Sequence, residues 1–576
     1  MAAQPSSPEA LLAVIAQAGN EMTQGWMRLV GGVPPPTGAP AADWTRELGG
    51  ARLPALQASY AEKQAQLWMA LAAGAGSAPL VAPEPGDRRF SSKAWRENAF
   101  YDYLRQSYLL SARYFTELVE GAQLEAAAKD RLRFAVRQWL DAMSPANFVA
   151  TNPEALRRAL DTRGESLARG LANLIADSHK GRLSQTDESA FEVGRNLATA
   201  PGRVVYENPL IQLVQYAPST AQVGKRPLVM VPPCINKFYI LDLQPENSFV
   251  RYAVDAGHTV FMLSWRNVGP ALGQLTWDDY IEQGVVQGLR AAREIAASDR
   301  VNALGFCVGG TLLGAALAVL AAKGEELVES VTYLTTMLDF GETGQIGLFV
   351  DEASLAAREA LIGRGGIFPG SDLAFMFSSL RANDLVWPYV VNNYLLGGTP
   401  AAFDLLYWNA DSTNLPGPMY CYYVRNTYLE NRLRVPGALT NCGVPVDLGK
   451  VDRPSFILAT REDHIVPWRS AYRSVGLLGG EKTFLLGAGG HVAGVINPAV
   501  KNRRSYWRAT SYPEEPQAWL AQAEEHPGSW WPQWAEWLAP YKGGARKAPA
   551  RFGNRRYKAT EPAPGRYVKQ RANKEA

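Results

Sequence analysis

A short glycine-rich stretch in the middle of the chain could carry a nucleophile. Gly305-Phe306-Cys307-Val308-Gly309 follows an apolar run and precedes a helical pattern from Thr311 to about Lys323. This order predicts a nucleophile elbow, a sharp turn from a buried strand into a helix that presents one side chain. Cysteine stands where the usual motif has serine, and the positive end of the helix dipole favours its thiolate. The alternative is a buried structural cysteine beside a glycine turn.

An acid and a histidine follow the cysteine in the chain order that such folds use. Residues 453–460 are typical of a buried strand, and Asp463 lies in the loop after it. A second short strand, 483–486, leads into the glycine-rich loop that holds His491. We therefore predict Cys307, Asp463 and His491 as a catalytic triad in which the histidine activates the thiol.

Attack by Cys307 on a carbonyl would create an oxyanion that needs amide donors. The amide of Val308, directly after the nucleophile, is the expected first donor. The second should come from the loop after the buried strand 228–231, which we call the oxyanion loop (residues 232–237). Ile235 is the residue that we predict for it.

Composition describes a soluble globular protein of more than one domain, with 576 residues, 47% apolar and 20% charged. A formal net charge of +3 indicates no class of partner. The four cysteines have no CxxC spacing, which favours a reducing compartment over a disulfide framework or a zinc site. We expect no metal, no signal peptide and no transmembrane segment, since no stretch reaches the roughly 18 apolar residues of a membrane span.

The first 200 residues show helical periodicity without persuasive strand alternation, which predicts a helical N-terminal domain over 1–200. An amphipathic pattern at 9–30 predicts a helix that either packs on its own domain or docks on a hydrophobic surface or partner. Further helices are predicted at about 55–73, 94–120, 122–140 and 153–177.

Strands and helices alternate after residue 203, which predicts an α/β catalytic domain over 201–576 with a mostly parallel sheet. Residues 204–206 and 210–216 are predicted as its edge strands. The alternation stops between Asp339 and Asn441, where aromatic residues are frequent.

This stretch predicts a cap insertion at about 340–441 that covers the elbow, or else an ordinary second core layer. Asp339 and Asp351 near its start are rival acids to Asp463. The tail 542–576 holds eleven basic and two acidic residues, and we expect it to be extended or laid over the surface. Binding of nucleic acid is not expected, because few aromatic residues are interleaved with the basic ones.

The segments PPCINKFYILDLQPENS, LGFCVGGTLLG, REDHIVPW and GAGGHVAGVINP, with others from about residue 85 to the C-terminus, resemble the class I polyhydroxyalkanoate synthases. The resemblance implies an α/β-hydrolase core under a cap, preceded by a helical N-terminal domain. It places the family's catalytic residues on Cys307, Asp463 and His491. His464 also falls on a family motif and is a tentative substrate contact.

The resemblance implies that (R)-3-hydroxyacyl-CoA, typically the short-chain 3-hydroxybutyryl-CoA, is polymerised into storage polyester through a covalent Cys307 thioester. Coenzyme A is then a leaving group, so no cofactor is expected. The family also implies a cytoplasmic homodimer on the growing polyester chain at the granule surface, with granule-associated proteins as partners of the N-terminal domain. An intracellular polyester depolymerase, an acyl-CoA thioesterase and an inactive granule-associated protein are the alternatives. Whether Asp463 orients His491 or acts as base on the hydroxyl is open.

Overall fold

The computed structural model describes residues 52–74 and 80–572. The chain divides into two compact units, one holding the residues up to Leu183 together with Ala382–Gly398, and the other Ser184–Arg381 and Thr399–Ala576. The amphipathic helix predicted at 9–30 lies outside the described residues. The predicted domain limits, 1–200 and 201–576 with a cap at about 340–441, stay predictions.

Helices build the described part of the first unit. They are α1 Leu53–Ala72, a single turn Ala94–Glu97, α2 Ala99–Gly121, α3 Ala126–Ala142, α4 Pro153–Asp161 and α5 Glu165–Lys180. The single helix predicted over 153–177 is wrong. Arg163 and Gly164 have φ values of 51° and 86°, which a continuous right-handed helix cannot contain, so the chain turns there.

Part of the stretch that we predicted as a cap, Ala382–Gly398, belongs to this first unit and packs on α5. The Tyr394 hydroxyl donates a hydrogen bond to Asp177 Oδ2 at 2.8 Å. A Cβ added at Gly170 would collide with the carbonyl oxygen of Tyr394, so the close approach of the two backbones requires glycine. The segment is thus fixed to the helical unit by both packing and hydrogen bonding.

The main sheet in the described part of the second unit has ten strands, and three two-stranded sheets accompany it. Its strands are β1 Gly202–Glu207, β2 Ile211–Tyr216, β3 Leu228–Val231, β4 Val260–Trp265, β5 Val301–Phe306, β6 Val328–Leu334, β7 Ser455–Thr460, β8 Lys482–Gly487, β9 Ser505–Arg508 and β10 Glu524–Pro527. Their spatial order is β1-β2-β4-β3-β5-β6-β7-β8-β9-β10.

The six central strands, β4-β3-β5-β6-β7-β8, are parallel, and two antiparallel strands flank them on each side. This arrangement confirms the predicted α/β fold. The prediction that β2 is an edge strand is wrong, because β2 lies between β1 and β4 and is buried along its whole length.

Helices connect these strands. They include α6 Phe249–Asp255, α7 Gln287–Ile295, α8 Val308–Ala322, α9 Glu352–Ile362, α10 Gly370–Leu380, α11 Asp404–Asn409, α12 Gly417–Val424, α13 Trp468–Leu477, α14 Pro516–Gln522 and α15 Trp531–Leu538. The helix after the elbow, α8, is apolar all round and is buried from its first residue to Leu320, as its position in the core requires. Within the described ranges, no helix has both the length and the apolar character that crossing a membrane demands.

The basic tail is extended in its described part. The amides of Thr560 and Ala563 donate to the carbonyls of Val204 and Gly202, and the amide of Val204 donates to the carbonyl of Glu561, each at 2.9 Å. The tail therefore supplies hydrogen-bond partners to β1, which would otherwise present an open strand edge.

His258, between α6 and β4, is a fully buried histidine whose two ring nitrogens have no hydrogen-bond partner within the described structure. Its ring lies 6.3 Å from that of Trp534. Burial, reinforced by the charge on Lys542, lowers the pKa of His258 from 6.5 to about 3. In the unfolded chain this histidine binds a proton near pH 6.5, whereas in the folded chain it stays neutral until the pH approaches 3. Stability from this group is therefore present above pH 6.5 and lost as the pH falls toward 3.

We predict that His258→Leu makes the second unit less sensitive to acid. In the unchanged chain this histidine alone should lower the free energy of unfolding by about 2 kcal/mol between pH 6.5 and pH 5. Denaturant unfolding at the two pH values measures that difference, in which any fixed packing cost of the substitution cancels. His179→Leu, at the exposed end of α5, is the control and should keep the original difference. Equal pH differences in all three proteins would contradict the prediction.

Candidate active site

Cys307 lies at the turn from β5 into α8 with φ 55° and ψ −131°, a conformation that non-glycine residues rarely adopt. The glycines around it make room for the turn. A Cβ added at Gly305 would collide with the backbone of Gly310, and one added at Gly309 would collide with the carbonyl oxygen of Pro232. Strand, helix and oxyanion loop therefore meet at van der Waals distance beneath the thiol, in the geometry of a nucleophile elbow.

Asp463 follows β7 and is held by four groups. His491 Nδ1 lies 2.7 Å from Oδ2, and the Thr460 hydroxyl donates to the same oxygen at 3.3 Å. The amides of Ile465 and Val466 donate to Oδ1, each at 2.8 Å. The Asp463 side chain has no exposed surface, so its orientation is fixed by these bonds alone.

His491 follows β8 and is the residue that joins the acid to the thiol. Its ring stacks on Phe306 with 5.6 Å between centroids, and its side chain lies close enough to Cys307 for the two groups to interact electrostatically. Burial lowers the pKa of His491, but the negative charges on Asp463 and Cys307 outweigh that effect and raise it to about 10. The structure thus brings the three predicted triad residues together, while their catalytic role stays a prediction.

The two rival acids have structural roles. Asp351 caps α9 by accepting the amide of Ser354 at 2.9 Å. Asp339 Oδ1 accepts the amide of Gly341 at 2.7 Å and Asn431 Nδ2 at 2.9 Å, so it ties the end of the β6 loop to the segment after α12.

The predicted oxyanion donors flank the elbow. Val308 is the buried first residue of α8. Ile235 lies in the oxyanion loop, which the packing of Gly309 on Pro232 brings against the start of that helix. Their donation to an oxyanion stays a prediction, as does a substrate contact by the half-buried His464 beside the acid.

The sequence analysis missed one aromatic residue near the thiol, Tyr428. Tyr428 lies in the π-helical turn Arg425–Leu429, and its ring packs edge-on against Phe340 at 5.0 Å and Tyr423 at 5.7 Å. Burial raises the pKa of Tyr428, and the charge on Cys307 adds to the shift, so the phenol stays protonated. A π turn displaces residues from α-helical spacing, and periodicity therefore gave no signal for this position.

Comparison with known proteins assigns the chain to a family. A family model described as Poly-beta-hydroxybutyrate polymerase (PhaC) N-terminus matches residues 86–253, and one described as alpha/beta hydrolase fold matches residues 227–498. The chain is 56% identical over 529 residues to the poly(3-hydroxyalkanoate) polymerase subunit PhaC of Cupriavidus necator, covering 91% of this chain and 89% of that one. The chain belongs to the poly(3-hydroxyalkanoate) polymerase family.

Further members of the polymerase family are less similar. The subunit PhaC of Rhizobium meliloti is 42% identical, with 84% of this chain and 80% of that protein covered. Poly(3-hydroxyalkanoate) polymerase 1 of Ectopseudomonas oleovorans is 40% identical, with coverages of 85% and 88%. Among solved structures, a monoacylglycerol lipase from Paleococcus ferrophilus is 13% identical at a TM-score of 0.31, covering 56% of this chain and 97% of its own. Family membership confirms the resemblance, and the hydrolase-fold match confirms the predicted fold.

We predict that Asp463→Asn lowers the pKa of His491, because burial then acts without the compensating carboxylate charge. The rate of thiol release from an acyl-CoA should fall by about 10⁴-fold, the cost of losing the orienting acid in related triads. Titration of ¹³C-labelled imidazole by NMR measures the first effect. Asp351→Asn, which removes a helix cap, is the control and should leave the pKa of His491 where it was. If the pKa of His491 is unchanged in Asp463→Asn, the carboxylate of Asp463 is not the charge that raises it.

Proposed function

We propose that this protein transfers (R)-3-hydroxyacyl groups from coenzyme A to Cys307 and from there to a growing polyester chain. The observation that carries the proposal is the arrangement of Cys307 at a strained elbow, His491 near it, and Asp463 hydrogen-bonded to the imidazole. That set occurs in a chain that shares 56% identity with a named polymerase.

Acylation begins from a Cys307 thiolate whose proton is held on His491, as the raised pKa of the imidazole favours. Asp463 holds Nδ1 of the ring, which leaves Nε2 to face the thiol. The thiolate adds to the thioester carbonyl, and the amides of Val308 and Ile235 hold the oxyanion. Collapse of this intermediate expels coenzyme A, which leaves with the proton from His491. One thioester replaces another, so the acyl group is not trapped in a deep energy minimum.

Chain growth follows when the 3-hydroxyl of another unit or of the polyester attacks the acylated Cys307. A base must remove the hydroxyl proton as the new ester forms. The bonding of Asp463 supports an orienting role for it, because both carboxylate oxygens already accept hydrogen bonds and the side chain is fully buried. His491 is then the base in both half-reactions.

Water must be kept from the acylated cysteine if the product is to be polymer. Tyr423 and Tyr428, which both interact electrostatically with Cys307 and pack with further aromatic rings, support this exclusion. Trp277 stacks on Tyr423 with 5.3 Å between centroids and an angle of 4°, and Phe340 packs edge-on against Tyr428. A dry aromatic lining disfavours hydrolysis and leaves the hydroxyl of a polyester chain as acceptor.

The proposal extends to substrate, assembly and location. The class I resemblance supports short-chain substrates such as 3-hydroxybutyryl-CoA. The same resemblance supports a homodimer in the cytoplasm at the polyester granule surface, with the helical unit as the contact for granule-associated proteins. Light scattering of the purified protein with and without substrate tests the dimer, and a monomer under both conditions would exclude it.

We predict that Cys307→Ala abolishes thiol release from (R)-3-hydroxybutyryl-CoA, a loss of roughly 10⁴-fold or more because the nucleophile is gone. Free thiol and turbidity are followed together after mixing enzyme and substrate. Cys442→Ala is the matched control, since Cys442 is also a half-buried free cysteine and bonds only to Asp278 in the described structure. It should release thiol and form turbid polymer at the original rate.

The same assay separates the proposed function from its alternatives. Thiol release with turbidity indicates polymerisation. Thiol release from a solution that stays clear and accumulates free hydroxy acid would show a thioesterase instead. Turnover retained by Cys307→Ala would remove the covalent thioester from the mechanism.

A further inference from the structure

The oxyanion loop ends in a buried lysine. Lys237 is only 2% exposed, and its Nζ donates a hydrogen bond to the carbonyl oxygen of Gln570 at 2.5 Å. Burial lowers the pKa of Lys237 to about 8, although the carboxylate of Asp411 opposes this shift. A buried ammonium group is costly unless it is paired and hydrogen-bonded, so the contact with Gln570 is part of what allows the loop to adopt this path.

The backbone of the oxyanion loop is hydrogen-bonded to Trp408 in α11 and to Thr413, which follows that helix. Trp408 Nε1 donates to the carbonyl of Lys237 at 2.7 Å, and the amide of Thr413 donates to the carbonyl of Ile235 at 2.7 Å. Two separate parts of the chain therefore hold the end of the loop. Trp408 and Thr413 bond to its backbone, and Gln570 bonds to the side chain of Lys237.

The tail residues that meet Lys237 are themselves anchored. Asn267 Nδ2 donates to the carbonyl of Arg571 at 3.1 Å, and the Arg571 guanidinium donates to the Tyr407 hydroxyl at 2.5 Å. The guanidinium also lies over the Tyr407 ring, 5.4 Å from its centroid. Four residues upstream, Tyr567 is buried with Arg266 stacked 5.1 Å from its ring centroid. The tail thus reaches Lys237 as a fixed structure.

Charges around the lysine are balanced. Asp411 accepts the Tyr239 hydroxyl at 2.9 Å and acts electrostatically on both Lys237 and Arg571. Glu188 lies 4.0 Å from the Arg571 guanidinium. Two cations and two carboxylates therefore occupy the place where tail and loop meet, and removal of the tail would leave the cluster short of one positive charge.

We propose that residues 570–571 position the oxyanion hole by acting through Lys237. This inference rests on the proposed function, in which the oxyanion loop supplies an amide to the transition state. Lys237 is two residues from Ile235, so a shift of its backbone displaces the predicted donor. Donors of this kind act over distances of about 2.7 to 3.1 Å, so a small displacement weakens them. The tail touches no reacting atom and is a positioning element.

Two variants break the same contact from opposite sides. One ends the chain after Lys569, which removes the Gln570 carbonyl, and the other is Lys237→Met. We expect kcat to fall about 10-fold to 100-fold in each with KM nearly unchanged, because the lost interaction acts in the transition state. The double variant should be no slower than the slower single one, since the Lys237–Gln570 contact through which the tail is proposed to act is lost in both single variants. Rates are expressed per Cys307 titrated with iodoacetamide, an alkylation that needs no oxyanion hole.

Lys542→Met is the matched control. Lys542 Nζ also donates to a backbone carbonyl, that of Ala256 at 2.6 Å, but it has no contact with the oxyanion loop in the described structure. Its kcat should equal that of the unchanged chain, so a loss common to all lysine variants would overturn the inference. So would single variants that keep kcat within twofold, losses that multiply in the double variant, or loss of Cys307 alkylation. Absence of coenzyme A release from the unchanged chain would instead refute the proposed function.

Discussion

The close meeting of three backbone segments beneath Cys307 is the constraint on which the rest of the site depends. Gly305 contacts Gly310, and Gly309 contacts Pro232, at distances that leave no room for a Cβ. A positive φ at a non-glycine residue costs on the order of 1–3 kcal/mol. The burial of β5 and of almost all of α8 stabilises the fold enough to offset that cost. Because the turn is held from both sides, the thiol, the helix amides and the oxyanion loop keep one relative arrangement.

In the second unit the charged side chains of Asp463 and Lys237 are buried, and backbone groups form hydrogen bonds with both of them. Asp463 accepts hydrogen bonds from two amides besides its bond with the imidazole, and Lys237 Nζ donates a hydrogen bond to a carbonyl oxygen. Each bond replaces the water that burial removes. The charges are consequently usable as fixed electrostatic elements, one raising the pKa of His491 and the other tying a loop to the tail. His258, by contrast, is buried without a hydrogen-bond partner among the described residues, which its neutral form allows.

The sequence predicted those features of the structure that depend on residues close together in the chain. The glycine spacing around Cys307, and the strands that precede Asp463 and His491, are each contained in a dozen residues, and the fold and the triad geometry could be predicted from them. Periodicity could not show that Arg163 breaks a helix or that a π turn places Tyr428 near the thiol. Pairings between distant parts of the chain were also beyond it, since the Lys237–Gln570 contact spans 333 residues. The packing of Ala382–Gly398 in the helical unit could not be predicted either, because this segment is distant in sequence from the helices that it contacts.

The hydrogen bonds between the tail and β1 have a consequence for synthesis. The edge of the sheet at Val204 is completed by residues 560–563, and Thr560 follows Val204 in the chain by 356 residues. During synthesis, β1 therefore lacks these hydrogen-bond partners until residues 560–563 have been made. A chain that stops before residue 560 would leave this edge of β1 unpaired, and an unpaired strand edge is a template for aggregation.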